Sequence, residues 1–248
     1  MPIITSSVTA DAVKKLAKQT GFDLAGIASA EPTLESLFYP QWLERGFAGE
    51  MSYLEGRRGE MRSDPQSLLP SAKSIISVGL VYNTEDPYST EVDCVDRGWV
   101  SRYAWGEDYH HVVRRKLDRL AELMQDGIGA FDYKICVDTA PLLERAYGHQ
   151  AGLGWIGKNP CVINQQLGSW LFLGELLTSL ELEADQSAPF RCGTCTRCIE
   201  ACPTDAFVPT GEPEGPSHAL DSRRCISYWT IELRGEISER NRSALGRR

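Results

Sequence analysis

No apolar run in this chain approaches the roughly 20 residues that a membrane-spanning helix requires, so a helical membrane protein is not expected. Residues 1–10 carry no basic stretch followed by an apolar one, and no twin-arginine pair precedes one, so no export signal is expected either. Low-complexity tracts and internal repeats are also missing, which removes repeat arrays and disordered linkers from consideration. Positive charge is in deficit, with 26 Lys and Arg against 34 Asp and Glu, a net charge of −8. That balance argues against indiscriminate nucleic-acid binding. The expectation is a cytoplasmic globular protein of 248 residues, long enough for one large domain and a small one.

The deficit is uneven. From Arg223 onward seven arginines face three glutamates, a local +4, so the first 222 residues carry −12. A basic tail on an acidic body suits phosphate contact, and it equally suits a solvated helix face. Both readings stay open.

Cysteine is what the chain does have, eight in all. In a reducing compartment such a number points to metal or redox chemistry rather than disulfides. Cys192, Cys195, Cys198 and Cys202, followed by Pro203, form a C-x2-C-x2-C-x3-C-P run, the spacing of bacterial iron–sulfur ferredoxins. Zinc sites divide their ligands into two pairs across a longer loop, so iron–sulfur is favoured here. The first three thiolates suit one cubane cluster and the fourth points to a second. Cys225 is the next candidate ligand, whereas Cys94, Cys136 and Cys161 have no ligand spacing and read as core or incidental thiols.

Upstream, the pattern predicts an α/β layered body of two or three layers over residues 1–180 and a small cluster-binding domain over 181–248. Thr9 caps a short helix that Gly21 closes. Strands are expected over 22–28, 74–82 and 131–137, the second of them central. A long amphipathic helix spans 108–126 and ends at Gly127; another helix covers 142–150. Segments 161–164 and 170–177 are expected to pair across 165–168.

Several segments, in one order along nearly the whole chain, match a known family. They include Arg62-Ser63-Asp64-Pro65, Ser101-Arg102-Tyr103-Ala104-Trp105-Gly106-Glu107-Asp108-Tyr109-His110 and Val137-Asp138-Thr139-Ala140-Pro141-Leu142-Leu143-Glu144-Arg145. Gly152-Leu153-Gly154-Trp155-Ile156-Gly157-Lys158-Asn159, Gly174-Glu175-Leu176-Leu177, the cysteine run and Arg224-Cys225-Ile226-Ser227-Tyr228 continue the match. The chain resembles the epoxyqueuosine reductases, which complete queuosine in the anticodon loop of tRNA. The resemblance implies an α+β fold: a cobalamin domain similar to those of reductive dehalogenases, then a ferredoxin-like module with two [4Fe-4S] clusters. It implies that cob(I)alamin reduces the epoxide with electrons from the clusters, drawn from a flavodoxin or ferredoxin, and with a proton from Asp138. Position alone makes Asp138 a helix N-cap, three residues before Pro141; the resemblance makes it the proton donor.

By the same resemblance Lys158, Asn159 and Val162 line the corrin, Arg57, Ser101, Arg102 and Tyr103 approach its amide and phosphate groups, and Ser227 sits between cluster and corrin. Arg234 is the candidate tRNA contact. Asp108-Tyr109-His110 begins a D-x-H-x-x-G cobalamin-ligand pattern, but Val113 replaces the glycine, so Asp108 is expected to start a helix and no histidine to ligate cobalt. The family continues beyond Arg248 with a second cysteine set. On this chain alone the first cluster is left with three ligands and the second with Cys202 and Cys225. A cobalamin-binding or electron-transfer module served by a partner, or an inactive shortened remnant, is therefore the alternative expectation. A monomer is expected.

Overall fold

The computed structural model describes residues 9–88, 91–92, 96, 98–211 and 216–245; Cys94, Arg247 and Arg248 lie outside them. Thr9 accepts a hydrogen bond from the Ala12 amide and starts helix α1, Ala10–Gln19, which buries Val13 and Ala17. Gly21, at φ +90, turns the chain into strand β1, Leu24–Ser29. Helices α2, Glu35–Glu44, and α3, Gly56–Arg62, follow. Neither is legible in the sequence: α2 holds Pro40 in its interior, and α3 is seven mostly polar residues without an apolar stripe.

Strand β2, Ser74–Val81, is buried along its first six residues, as a β-branched-rich run apolar on both faces predicts. Asp108 then caps the long helix α4, Tyr109–Ile128, by accepting the His110 amide. The expected end at Gly127 is corrected to Gly129, which takes the left-handed φ of +87 and returns its amide to the Gln125 carbonyl. Gly127 keeps a helical conformation, so only the second glycine can act as the stop.

Strand β3, Tyr133–Cys136, leads to helix α5, Glu144–Gln150, and the two-residue strands β4, Trp155–Ile156, and β5, Val162–Ile163. Strand β6, Leu171–Thr178, was expected to pair with 161–164; instead β5 pairs with β4, and β6 enters the main sheet. Its eight residues are largely apolar on both faces, which suits a strand flanked on both sides rather than one half of a small hairpin.

The main sheet has the order β1-β2-β6-β3 and is antiparallel throughout. One face packs Ile76, Val78 and Leu176 against Val13 and Ala17 of α1 and Val113, Leu117, Leu120 and Met124 of α4. The other sets Ile75, Leu177 and Cys136 against Tyr147 of α5. The body is therefore three-layered. On the α5 side, register places Gly26, Ser77, Glu175 and Cys136 in one row across all four strands. A Cβ on Gly26 would lie 1.9 Å from the Ala151 carbonyl oxygen, so only glycine lets the end of α5 reach this row.

Residues 182–185, past the last strand, are still tied to the body: the Leu182 amide donates to Ser74 Oγ at 2.9 Å, and the Asp185 carboxylate accepts from Lys14 Nζ and the Ile27 amide. Beyond lie α6, Arg197–Glu200, the hairpin of β7, Phe207–Pro209, with β8, His218–Leu220, and α7, Glu239–Arg242. Trp42 Nε1 donates to the Leu220 carbonyl, the Ser222 amide to the Phe47 carbonyl and the Glu50 amide to the Tyr228 hydroxyl, joining this module to α2 and the segment that follows it. Among the described residues no helix is long and apolar enough to cross a membrane.

Candidate active site

Beyond the end of β3 the chain turns at Asp138, whose φ of +48 is left-handed, a conformation that a non-glycine residue holds only when its surroundings enforce it. Three groups enforce it here. The Asp138 amide donates to Glu144 Oε1 at 2.5 Å, Arg58 of α3 donates to the Thr139 carbonyl at 2.6 Å, and the buried Arg62 donates to the Ala140 carbonyl at 3.4 Å. Helix α5 has Leu143 at its N-cap, with no side-chain bond, so the cap reading of Asp138 is wrong. Its carboxylate turns the other way, to α4, where Oδ2 lies 3.1 Å from His110 Nε2.

His110 Nδ1 lies 2.7 Å from Asp108 Oδ1, the same oxygen that caps α4. Burial disfavours the imidazolium, but the bonds to Asp108 and Asp138 outweigh it and hold the His110 pKa above its ordinary value. Tyr109 stacks on Phe172 at 4.2 Å and on His110 at 4.1 Å, and burial, reinforced by the charges of Asp138 and Glu144, raises its phenol. The phenol therefore stays neutral and able to donate. The Asp138 side chain is 55% exposed, so an oxygen on its open side can take a proton while His110 stands behind it to replace that proton.

The other expected positions divide into three groups. Lys158 reaches the cysteine run, donating through Nζ to the carbonyls of Gly193 at 2.8 Å and Cys195 at 3.0 Å. Asn159 Oδ1 accepts the Cys161 amide, and Val162 is buried in β5. On the same hairpin the buried Trp155 Nε1 has no acceptor. Arg102 is buried and faces inward, donating to Asn83 Oδ1 and the carbonyls of Thr84, Asp86 and Pro87 beneath the rings of Tyr88, Trp105 and Trp170. Ser101 is exposed, as is Tyr103 at 39%. Arg57 is exposed on α3, and its neighbour Arg58 makes the contact to the Asp138 turn. Ser227 and Arg234 are both exposed in the C-terminal segment.

Cys192, Cys195, Cys198, Cys202 and Cys225 are free thiols. The Cys195 amide bonds the Cys192 carbonyl, Cys198 lies in α6, and Cys202 Sγ accepts the Ala206 amide at 3.4 Å. Burial works against the Cys202 thiolate, yet hydrogen bonds from Thr204 and Ala206 prevail and lower its pKa, toward the state a metal ligand needs. Among the described residues no three His, Cys, Asp or Glu side chains converge as a metal-binding set. Cys136 is sealed in the core and burial pushes its thiol up to about 12, while Cys161 is exposed.

Sequence reasoning missed His110, Arg58, Glu144 and Glu175 as site residues. Glu175 carried the one available signal, a lone acid in the otherwise apolar run of β6. His110 was read only as the start of α4, because a metal-ligand pattern was sought and an acid–imidazole contact across 28 positions leaves no local spacing.

A three-layer α/β body with an acid–imidazole site, joined to a ferredoxin-type cysteine run, defines the class: a layered domain with an iron–sulfur-type module. Residues 62–139 match the family model described as epoxyqueuosine reductase QueG, DUF1730, and residues 191–248 match the 4Fe-4S double cluster binding domain. The epoxyqueuosine reductase of Xanthomonas campestris is 42% identical over 95% of this chain and 65% of its own length. That of Leadbetterella byssophila is 40% identical over 91% of this chain and 70% of its own. The chain belongs to the epoxyqueuosine reductase family. It spans just under two thirds of the length of most of the curated relatives it matches.

Two solved epoxyqueuosine reductases superpose over 96% of the chain at 33% identity. One carries an epoxyqueuosine-modified tRNA-Tyr stem loop (TM-score 0.79, 60% of that chain). The other, from Bacillus subtilis, has an aspartate catalytic loop swung out of the active site (TM-score 0.78, 61% of that chain). The catabolic reductive dehalogenase NpRdhA shares the fold, with a TM-score of 0.56 at 15% identity over 90% of this chain and 29% of its own.

Proposed function

We propose that the chain serves the reduction of epoxyqueuosine to queuosine in tRNA, with Asp138 as the proton donor. The observation that carries this reading is the enforced left-handed turn at Asp138, which leaves its carboxylate open on one side and backed by His110 on the other. Removing an epoxide oxygen as water consumes two electrons and two protons, so a carboxyl that can be reprotonated suits the task. Family membership supports it, as do the aspartate catalytic loop of the Bacillus subtilis relative and the tRNA stem loop held by another.

The donors present suit the two cofactors of the reading. Five free thiols, one of them hydrogen-bonded toward the thiolate, are the ligand type an iron–sulfur cluster takes, so Cys192, Cys195, Cys198, Cys202 and Cys225 would hold clusters. The unpaired Trp155 N–H on the Lys158, Asn159 and Val162 hairpin suits an amide-bearing ligand such as cobalamin. When bound, these groups supply the electrons, delivered singly through clusters and passed on by cobalt. Within this reading residues 1–180 form the cobalamin body and 181–248 the cluster module. Ser101, Tyr103, Arg57 and Ser227 are exposed and free to meet ligand, whereas Arg102 orders the 83–87 loop. Arg234 contacts tRNA, a flavodoxin or ferredoxin donates electrons, and the chain acts as a monomer in the cytoplasm.

The test is Asp138→Asn, assayed anaerobically with reconstituted cofactors and epoxyqueuosine-containing tRNA. The expected result is a folded protein that binds cobalamin and tRNA but does not turn over. Turnover at the unsubstituted rate would remove Asp138 from the reaction.

A further inference from the structure

Behind the Asp138 turn lies a second carboxyl pair that the proton-donor reading does not use. Glu175 sits mid-strand in β6 at 0% exposure, with Ser77 opposite on one side and Cys136 on the other. Neither of its oxygens has a hydrogen-bond partner of standard geometry, and the Ser77 hydroxyl is likewise unpaired. Its electrostatic neighbour is Glu144, whose carboxyl turns inward from the first turn of α5 and accepts the Asp138 amide. Burial raises both acids, each further raised by a neighbouring carboxylate, Asp138 beside Glu144 and Glu144 beside Glu175.

The groups facing the pair do not neutralise it. From α5, Arg145 lowers Glu144 by charge but spends its own Nη1 on the Pro160 carbonyl at 2.6 Å. From α4, Tyr109 faces Glu144 and Asp138 as a neutral phenol, and His110 bonds Asp138. On β3, Cys136 stays a thiol beside both acids, and Lys134 and Arg114 act on it only at a distance. Two adjacent carboxylates without a cation at hydrogen-bond range cannot both be charged in an apolar layer.

We propose that Glu175 carries a proton at neutral pH and donates it to the Glu144 carboxylate, and that Glu144, so anchored, is the positioning residue that latches the Asp138 turn through its amide. The latch deepens the reading of Asp138 as proton donor and rests on it for its purpose. With Glu175 neutral, Glu144 is fixed as an acceptor aimed at Asp138 N–H, and the strained turn keeps its geometry. Deprotonating Glu175 sets like charges against each other and frees the turn.

Two measurements on the purified chain test this without turnover. Infrared spectra at pH about 7 should show a protonated-carboxyl C=O band that shifts in D2O and is missing from Glu175→Gln. Amide hydrogen exchange at Asp138 should quicken about tenfold in Glu144→Ala while Leu176 in the sheet stays protected, and Glu144→Gln, which keeps an acceptor oxygen, should retain most protection. Exchange at Asp138 should also rise with pH beyond the intrinsic base catalysis, and Glu175→Gln should abolish that excess. The latch fails if the unsubstituted chain lacks the band, or if Asp138 exchange ignores Glu144→Ala. Should the latch respond as expected while Asp138→Asn still turns over, only the function reading falls.

Discussion

His110 Nε2 stands 3.1 Å from Asp138 Oδ2, and its Nδ1 stands 2.7 Å from Asp108 Oδ1. One imidazole thus joins the cap of α4 to the turn after β3, two elements 28 positions apart in the chain. The Asp108 bond fixes the ring, and the ring's other nitrogen faces Asp138. One Asp108 oxygen both caps α4 and holds the His110 ring, so a residue that looks purely structural in the sequence also orients the imidazole beside Asp138.

Turnover should depend on this ring. His110→Gln retains a polar side chain of similar reach but cannot carry a proton, so the rate should fall about 10²-fold. In the unsubstituted protein, activity should decline as pH rises through the raised His110 pKa, because the imidazolium that reprotonates Asp138 is lost. A pH–rate profile of His110→Gln that keeps the same descending limb would assign that limb to another group.

Stability should carry the same sign. The folded-state His110 pKa is raised, so its contribution is full below the unfolded value of about 6.5 and disappears as pH rises through the higher folded value. Thermal melts of the unsubstituted protein and His110→Gln should therefore differ most below the unfolded value of about 6.5 and converge as pH rises through the higher folded one. Curves that stay parallel across that range would show that the ring bonds have no thermodynamic weight.

The cysteines should separate by role. Serine at Cys192, Cys195, Cys198, Cys202 or Cys225 should lower iron and sulfide recovered after anaerobic reconstitution, because a hydroxyl is a poor substitute for a thiolate on iron. Cys161→Ser should leave both values unchanged. Cys136→Ser should leave iron unchanged but lower Tm, since a hydroxyl would replace a sulfur in the sealed layer under α5.

Much of the body was legible because its signals are local. The apolar stripe of α4, the β-branched run of β2 and the Thr9 cap each lie within a few residues of the structure they specify. What was not legible depends on partners far away. The pairing of β6 with β2 and β3 is decided by burial on both faces, and Pro40 hides α2 behind a residue that usually ends a helix. In the site, Asp138 was singled out by resemblance and the cysteine run by spacing. Glu144 and Glu175 meet only because α5 folds back over β6, and Lys158 meets the cysteine loop only because the 157–161 turn faces it.

Core packing should dominate stability over any single surface pair. Leu117 is fully buried between α4 and the sheet, so Leu117→Ala should cost about 2–5 kcal/mol, visible as a lowered midpoint in urea with the slope unchanged. Arg119→Ala removes only an exposed pair with Glu122 and should change stability by less than about 0.5 kcal/mol.

Lys158 should govern the order of the cluster loop rather than its ligand count. Its Nζ bridges the carbonyls of Gly193 and Cys195, and Gly193 holds a left-handed φ of +48, so the ammonium clamps the loop at its least regular point. Hydrogen bonds from a charged group contribute about 1.5–3 kcal/mol when shielded and less at an exposed site such as this one. Lys158→Met preserves the stem and removes both bonds. Amide exchange over 193–196 should then quicken several-fold, while the sheet amides of β2 and β6 keep their protection. Iron should still load, because every thiol remains, but it should be lost faster to a chelator. Equal chelation rates with quickened exchange would show that the clamp orders the loop without protecting what the loop holds.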